Sequence, residues 1–474
     1  MSDRPAIAIV GGGITGLSVA LRLEKLLALK HRAASITIFE AADRLGGKIE
    51  TRRQGDLVLE LGAESFLVRK PRGIGLCRDL GVDHRLIGTR SDTKRTFIFY
   101  DDDLYELPRD IVAFVPASTS SIASCRVLSP IGRVRMAMDL IKPARKDMDD
   151  ETLESFLARR FGREAYRRMI EPMLCGIYSG DGSQLSVEAT YPQLRELERT
   201  YGSLIRGLSL TRQASDFELK IASPFATFPN GMSEFIQEIA SRLQVTKLQL
   251  SQAVASVRQT PNGYDLTFAN QGSQRFDFVV LTGTSFQSAD LIAEDFPQLA
   301  QMLRQIPHAS TATINIWYDS AMVGNPMRGY GFVVPSDQQR FITAVTWTSS
   351  KHADRAPSQM KLLRAYAGRA GAELDLSLSD FQILELVLDD LARTMRLKAK
   401  PLGYLIKRWP LGSPQYTLGH RERLASIDNQ LDTCPRLYLS GASYRGVGIP
   451  DCIADAERTA AQIAASVDVK ESTA

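Results

Sequence analysis

The chain opens on an unbroken apolar run, Ala6–Val10, which has the length of a strand and none of the alternation of a half-solvated one. That pattern predicts a parallel strand covered on both faces. Gly11-Gly12-Gly13-Ile14-Thr15-Gly16 ends the run at once, and residues 17–29 then set Leu and Ala at amphipathic helical spacing. Ser35–Phe39 reads as a second buried strand and runs into Glu40. Residues 250–259, 264–269 and 276–281 read as strands parted by turn signals such as Pro261-Asn262-Gly263. Near the end, residues 436–440 form an apolar-leaning strand, a glycine-rich turn occupies 441–450, and residues 451–465 have the composition of a helix. Between 110 and 146, apolar clusters (Ile111-Val112-Ala113-Phe114-Val115 and Met136-Ala137-Met138) alternate with Arg126, Arg133, Arg135, Lys142, Arg145 and Lys146. This stretch is basic and amphipathic, as a membrane-surface segment or an exposed helical hairpin would be.

The first of these patterns carries chemistry. Gly11, Gly13 and Gly16 spell GxGxxG between a strand and a helix. The first glycine permits a tight turn, the second lets a pyrophosphate approach the backbone, and the third lets helix and strand pack closely. The helix start offers unpaired N–H groups and a positive dipole end to phosphate, with Gly12, Ile14 and Thr15 beside it. Glu40, at the end of the second strand, is placed to accept hydrogen bonds from a ribose diol. Glycine turns also arise for purely structural reasons, but here strand, helix, second strand and acid come in order.

The residues after Glu40 separate FAD from NAD. Ala41-Ala42-Asp43-Arg44-Leu45-Gly46-Gly47-Lys48 adds a second glycine pair behind an arginine, which an NAD site has no need of. It resembles the extended fingerprint of the glutathione-reductase-like FAD proteins, in which this loop wraps the diphosphate and ribityl chain. Glu60-Leu61-Gly62-Ala63-Glu64-Ser65-Phe66 supplies another small-residue turn, expected near the isoalloxazine. At the far end Gly441, Val447, Gly448 and Ile449 precede a helix, and a helix start there would stabilise negative charge on the reduced flavin pyrimidine. An ordinary strand–turn–helix would look the same in isolation; matching glycine-rich elements at both chain ends point to FAD.

Composition narrows the class. The chain has 474 residues, too many for one ordinary core. A net charge of +4, without any run of Lys or Arg, gives no reason to expect a nucleic-acid partner. The five cysteines are scattered without CxxC spacing, which argues against a disulfide framework or a zinc knuckle and suits a reducing compartment. The five histidines form no ligand pair at helical spacing, so no metal is expected. The expected location is cytoplasmic, since the N-terminus reads as a strand rather than a signal and no apolar stretch is long enough to span a bilayer.

The residues resemble one family over nearly the whole chain: the oxygen-dependent porphyrinogen oxidases of haem synthesis, which take protoporphyrinogen IX or coproporphyrinogen III. Beyond the FAD motifs, the resemblance rests on Gly176-Ile177-Tyr178-Ser179-Gly180-Asp181 with Leu185-Ser186, Pro192 and Leu197-Glu198. It rests too on Phe225-Ala226-Thr227-Phe228 with Gly231-Met232, and on Gly329-Tyr330-Gly331-Phe332-Val333-Val334-Pro335. Arg408-Trp409-Pro410-Leu411-Gly412-Ser413-Pro414-Gln415-Tyr416 with Gly419-His420 is the most diagnostic block, and residues 446–453 close the set.

The resemblance implies an α/β fold in three parts. A discontinuous FAD-binding Rossmann domain would span 1–85, 225–290 and 405–474, a mainly helical substrate and membrane-contact region 86–224, and an inserted α+β substrate domain with a mixed sheet 291–404. It further implies FAD contacts at Val254, Trp409 and residues 447–449, and a carbonyl of Gly176 offered to pyrrole N–H groups. Tyr330 stands where the family usually has phenylalanine against a pyrrole, which adds a hydroxyl that needs a partner. The family's mitochondrial and plant members place a propionate-binding arginine before an aromatic strand. Here the register puts Thr96 at that place, so Arg95 would serve only with a local shift, and Arg69-Lys70 is a second candidate clamp, unless these are solvated surface charges.

The implied chemistry is the removal of six electrons from a porphyrinogen in three flavin cycles, with oxygen as acceptor and hydrogen peroxide released. The hydride chemistry is the cofactor's, so no catalytic side chain is required. His420 is an acid–base candidate, with a packed structural histidine as the alternative, and Glu64 near the flavin edge is open in the same way. Two further readings stay open: another flavin oxidase such as an amine oxidase or carotenoid desaturase, and a non-catalytic Rab-escort-like binding protein. A homodimer is the default oligomer.

Overall fold

The computed structural model describes residues 4–472 except 91, 93, 109, 113, 117, 148, 212–222, 270 and 326. Ala6–Val10 is the central strand of a five-stranded parallel sheet ordered Lys247–Gln249, Ser35–Phe39, Ala6–Val10, Phe278–Leu281, Leu437–Leu439. Alternation sorts its two faces. Ile7, Ile9, Phe278 and Val280 face a core shared with the helices Ile14–Leu29 and Ile449–Ser472. Ala8, Val279 and Leu281 face an antiparallel meander, Val254–Thr260, Gly263–Phe268 and Gln271–Phe276. The chain leaves Ala6–Val10 for the neighbour on one side and later fills the other side, so a crevice opens at the strands' carboxyl ends, where ligands bind in open α/β sheets.

A seven-stranded mixed sheet lies across that crevice. Its order is Gly403–Pro414, His308–Asp319, Met360–Ala367, Ile342–Thr346, Gly331–Val333, Thr96–Tyr100, Asp103–Glu106, with one parallel pairing, between Gly331–Val333 and Thr96–Tyr100. Helix Asp380–Thr394, begun by a Ser379/Gln382 capping box, seals its back with Ile383, Val387 and Leu391.

Three expectations differ from the structure. Thr96–Tyr100 and Asp103–Glu106, expected within the mainly helical region, extend the seven-stranded sheet because Thr96, Phe97 and Ile98 find a partner in Gly331–Val333, far along the chain. Gly403–Pro414 is the opposite edge of that sheet, so Trp409 stands on the seven-stranded sheet and not on the parallel one. Residues 276–281 are not one strand: Phe276 ends the meander, and Asp277, whose Oδ2 accepts from Ala6 N at 2.8 Å, turns the chain into Phe278–Leu281.

Helices between 119 and 211 build a separate core from Phe156, Leu157, Phe161, Met169, Leu174 and Leu194. A buried ionic lattice crosses it. Arg160 and Asp139 are both fully buried, and Arg160 Nε donates to Asp139 Oδ1 at 2.5 Å. Glu198 lies 3.3 Å from the same guanidinium and takes Arg159 as well. Glu151 joins Arg159 to Arg195. Arg160 also donates to the carbonyls of Lys142, Pro143 and Gly202, so one side chain pins separate backbone turns.

Removing one partner of such a lattice leaves a desolvated charge, which typically costs about 3–5 kcal/mol. Asp139→Ala is therefore expected to lower the urea midpoint by an amount of that order. An unchanged midpoint would show that Arg160 is satisfied by Glu198 and carbonyls alone.

Candidate functional site

The dinucleotide end of the crevice is a cradle of backbone. A Cβ on Gly16 would lie 2.0 Å from Gly11 O, so only glycine lets helix Ile14–Leu29 start this close to the turn. A Cβ on Gly13 would meet nothing within 4 Å and would project into the open cradle. No side chain caps the helix, so the N–H groups of its first turn, at Ile14, Thr15 and Gly16, remain available to an anion.

The loop of Ala41, Arg44, Gly47 and Lys48 closes over this turn through Gly46 N, which donates to Gly12 O at 2.9 Å. Glu40 holds both pieces: Oε2 accepts from Gly12 N at 2.7 Å and Oε1 from Ala42 N at 2.9 Å. Arg44 turns inward to the carbonyl of Gly47 and to the buried Glu50, at 2.8 and 2.7 Å, and so shapes its own loop. The strand of Val254 is laced on beside it, with Gln252 N donating to Glu40 O and Ser251 N to Ala42 O.

At the other end, residues 60–64 are stitched to the seven-stranded sheet by their carbonyls. Asn315 Nδ2 donates to Glu60 O at 3.0 Å, Trp409 Nε1 to Leu61 O at 2.9 Å, and Arg364 to Gly62 O at 3.0 Å. Ala63 N donates back to Lys48 O, Thr227 Oγ1 donates to Glu64 O, and Ser65 leads into the short pairing of Phe66–Leu67 with Phe225–Ala226. Lys48, whose side chain is exposed, donates from Nζ to Gly412 O. Gly441, at φ +132, comes up against Thr15. Val447 packs toward the helical core, and Gly448 N donates at 3.2 Å to Asp451 Oδ2 in the first turn of helix Ile449–Ser472.

The substrate candidates scatter more widely. Gly176 is exposed in the last turn of helix Glu171–Tyr178, and a Cβ there would lie 3.9 Å from Val333. Tyr330 is half-buried; its hydroxyl pairs with Thr89 Oγ1 at 2.6 Å, and Thr89 with Ser223 at 2.9 Å, which is the partner the extra oxygen demands. Arg95 gives only its carbonyl to this region, accepting from Tyr330 N, while its guanidinium lies 3.7 Å from Glu106 in an exposed pair. Lys70 pairs with Asp451 at the helix start, at 2.5 Å. His420 is buried, donates from Nε2 to Tyr444 O at 2.8 Å, and stacks on Tyr416 at 4.1 Å. Burial lowers its pKa to about 4, so it is neutral at pH 7 and braces the 441–446 turn.

Sequence reasoning missed a buried charged group beside Glu64. Glu64 is 9% exposed and pairs with Lys351 and, at 3.0 Å, with Arg364. Against the cost of burial, the two cations hold its carboxyl far below the ordinary carboxylate range. Arg364 also donates to Tyr366 Oη, and Lys351 Nζ lies 5.1 Å from the Phe225 ring centre and 5.8 Å from that of Tyr330. Nothing in the segment around Lys351 is periodic or glycine-marked, so only the fold reveals that it meets Glu64.

Comparison with known proteins places this architecture. Residues 14–464 match the model of the flavin-containing amine oxidoreductases. The chain is 35% identical, over 96% of its length and 97% of the relative's, to coproporphyrinogen III oxidase of Bacillus subtilis strain 168. It is 30% identical, over 98% and 99%, to coproporphyrinogen III oxidase of Staphylococcus aureus strain NCTC 8325 / PS 47. A crystal structure from Exiguobacterium sp. 255-15, named provisionally as a protoporphyrinogen oxidase, superposes with a TM-score of 0.86 at 30% identity, covering 98% of this chain and all of that one. The chain belongs to the flavin-containing amine oxidoreductases, and FAD is its cofactor.

The cradle yields a sharp test. Gly13→Val has room in the protein itself, so the purified variant is expected to keep its secondary structure and to bind FAD at least about tenfold more weakly, a loss of about 1.4 kcal/mol. The ratio of flavin to protein absorbance, read beside circular dichroism, checks both halves. A fully yellow variant would move the pyrophosphate elsewhere.

Proposed function

We propose that this chain oxidises coproporphyrinogen III to coproporphyrin III within haem synthesis, with oxygen as the acceptor and hydrogen peroxide as the second product. The observation that carries the choice is the full-length likeness to a relative named for that reaction. Protoporphyrinogen IX is the second reading, favoured by the name given to the Exiguobacterium structure. Either way six electrons and six hydrogens leave the macrocycle in three two-electron steps, and three molecules of oxygen become three of peroxide.

Bound FAD supplies the two-electron oxidation. The chain's own part is binding and orientation. We assign Gly11, Gly12, Gly13, Ile14, Thr15, Gly16, Glu40, Ala41, Gly47 and Val254 to the dinucleotide. Lys48, Gly62, Ala63, Glu64, Ser65, Trp409, Gly441, Val447, Gly448 and Ile449 surround the ring system, with Arg44 fixing the loop between. Tyr330 and the carbonyl of Gly176 orient the tetrapyrrole across the cleft. The positions of Arg95 and Lys70, each already paired to a carboxylate, favour roles at the cleft's edge.

We further propose that the 130–141 segment touches a membrane surface. Among the described residues no helix is long and apolar enough to cross one. Ile131, Val134, Met138 and Ile141 nevertheless stand exposed at helical spacing, Ile131 by 82% and Ile141 by 81%. Several surrounding cations are tied to carbonyls, as Arg133, Arg135 and Lys142 are, so the apolar stripe would insert while Arg126 and Lys146 meet lipid phosphate. Within the basic stretch, Ala113 lies outside the described residues.

Two measurements test these readings. Aerobic turnover of both porphyrinogens by the yellow protein, followed by porphyrin fluorescence and peroxide release, is expected to favour coproporphyrinogen III. Preference for protoporphyrinogen IX would select the second reading, and no turnover of either would remove both. Flotation with anionic vesicles at low salt is expected to carry the wild type upward and to leave Ile131→Asp/Ile141→Asp behind, whereas equal behaviour of the two would remove the membrane contact.

A further inference from the structure

The buried charges on the sheet side of the cleft do not balance. Lys351, Arg364 and Arg355 supply three cations, at 8%, 3% and 1% exposure, against the carboxylates of Glu64 and Glu60. Arg355 lies 3.5 Å from Glu60, which Met232 N and Thr51 Oγ1 also hold by its oxygens. Glu64 is shared between Lys351 and Arg364. His352, next in the chain and 1% exposed, has no hydrogen-bond partner on either ring nitrogen. Burial lowers its pKa to about 3, so it adds no charge at pH 7. One positive charge is left over.

Its location is defined. Arg364 runs to the carbonyls of Glu60 and Gly62 and on to Tyr366, so that guanidinium is fully committed to the segment carrying Gly62 and Ala63. Lys351 has Glu64 on one side and the rings of Phe225 and Tyr330 on the other, and both rings are partly open. A desolvated ammonium in this position is costly unless a second anion completes its surroundings.

We propose that Lys351 is an anion-binding residue of the cleft, whose missing counter-charge arrives with the bound molecules. Two sources carry that chemistry: the negative charge that the flavin acquires on reduction, and a carboxylate side chain of the porphyrinogen. The proposal rests on the flavin and porphyrinogen reading above. It goes beyond that reading in giving a specific electrostatic role to a residue that neither the glycine fingerprint nor the aromatic motifs contain. Glu64 is then a positioning residue that holds the Lys351 ammonium, and Arg364 orients Glu64.

Lys351→Met and Lys351→Arg separate the sources. In Lys351→Met, Glu64 remains paired with Arg364 at 3.0 Å, so no carboxylate is orphaned and the holoenzyme is expected to fold with its flavin. Lys351→Gln, which keeps a donor toward Glu64, replaces it should it not. Two readouts are taken on each yellow protein: the flavin midpoint potential without substrate, and the dissociation constant of coproporphyrin III by fluorescence. If the flavin is the source, Lys351→Met weakens the preference for the reduced form about tenfold, which is about 30 mV for a two-electron couple, and Lys351→Arg restores it. If the substrate is the source, the potential holds while coproporphyrin III binds about tenfold more weakly, again rescued by arginine. Changes under twofold in both readouts, or losses that arginine does not rescue, would overturn the proposal and leave Lys351 a structural residue. Porphyrinogen turnover by the wild type tests the underlying reading separately.

Discussion

Everything in the cleft depends on how residues 60–64 are gripped. Their carbonyls leave the small hairpin that comes after the dinucleotide loop and accept from Asn315, Trp409 and Arg364 of the seven-stranded sheet. Two bodies with separate cores are thereby joined through directional bonds and not by apolar contact alone. The distance between the cradle at Gly13 and the aromatic face at Tyr330 is consequently fixed by hydrogen-bond geometry. It also explains why Trp409, carried on a long edge strand, has to bond through its indole nitrogen: the same residue defines the cleft wall and the joint.

The parts legible in the sequence are those in which local backbone chemistry permits few alternatives. GxGxxG between Ala6–Val10 and Ile14–Leu29 could be read directly because a Cβ at Gly16 has no place to go, whereas Glu40, read as a ribose acceptor, also joins the glycine turn to the next loop through Gly12 N and Ala42 N. The wider site was less legible. Arg44 stands in a glycine loop read as wrapping the diphosphate, yet its guanidinium is committed to Gly47 O and Glu50, a buried acid outside the motif. Lys351 is far from Glu64 in sequence and belongs to no spacing rule. The hairpin of Thr96–Tyr100 and Asp103–Glu106 joined a sheet whose other members lie far downstream, and strand pairing at that separation leaves no mark in a single chain.

The two buried ionic groups have different logic. In the helical core, Arg160 is enclosed by Asp139, Glu198 and backbone carbonyls, and Asp139 accepts in turn from Ser203 and Ile205 N, so its donors and acceptors are met from within. Such a lattice fixes one arrangement of helices, the best-attested use of buried charge. It also anchors the 138–143 turn directly beneath the exposed Met138 and Ile141, so an apolar stripe that would otherwise favour collapse is held outward. In the cleft the charges fall one carboxylate short, beside a wall that remains partly open.

That contrast bears on how this chain can run an oxidation without a catalytic triad. Two of its neutral histidines are braces: His420 against Tyr416, and His308 between Ile306 O and Ser443. Glu64, the carboxylate that meets the cleft, is held ionised by two cations and is therefore a poor proton acceptor at neutral pH. The protein is left to contribute position and field. A rigid wall of carbonyl-linked strands sets position. Field comes from charges whose orientation is established during folding, so that nothing needs to reorganise as charge moves in the reaction. An enzyme that must repeat one two-electron step three times on a changing macrocycle has reason to use a fixed field: a proton-transferring side chain would have to be reset at each turn, whereas a preorganised cation does not.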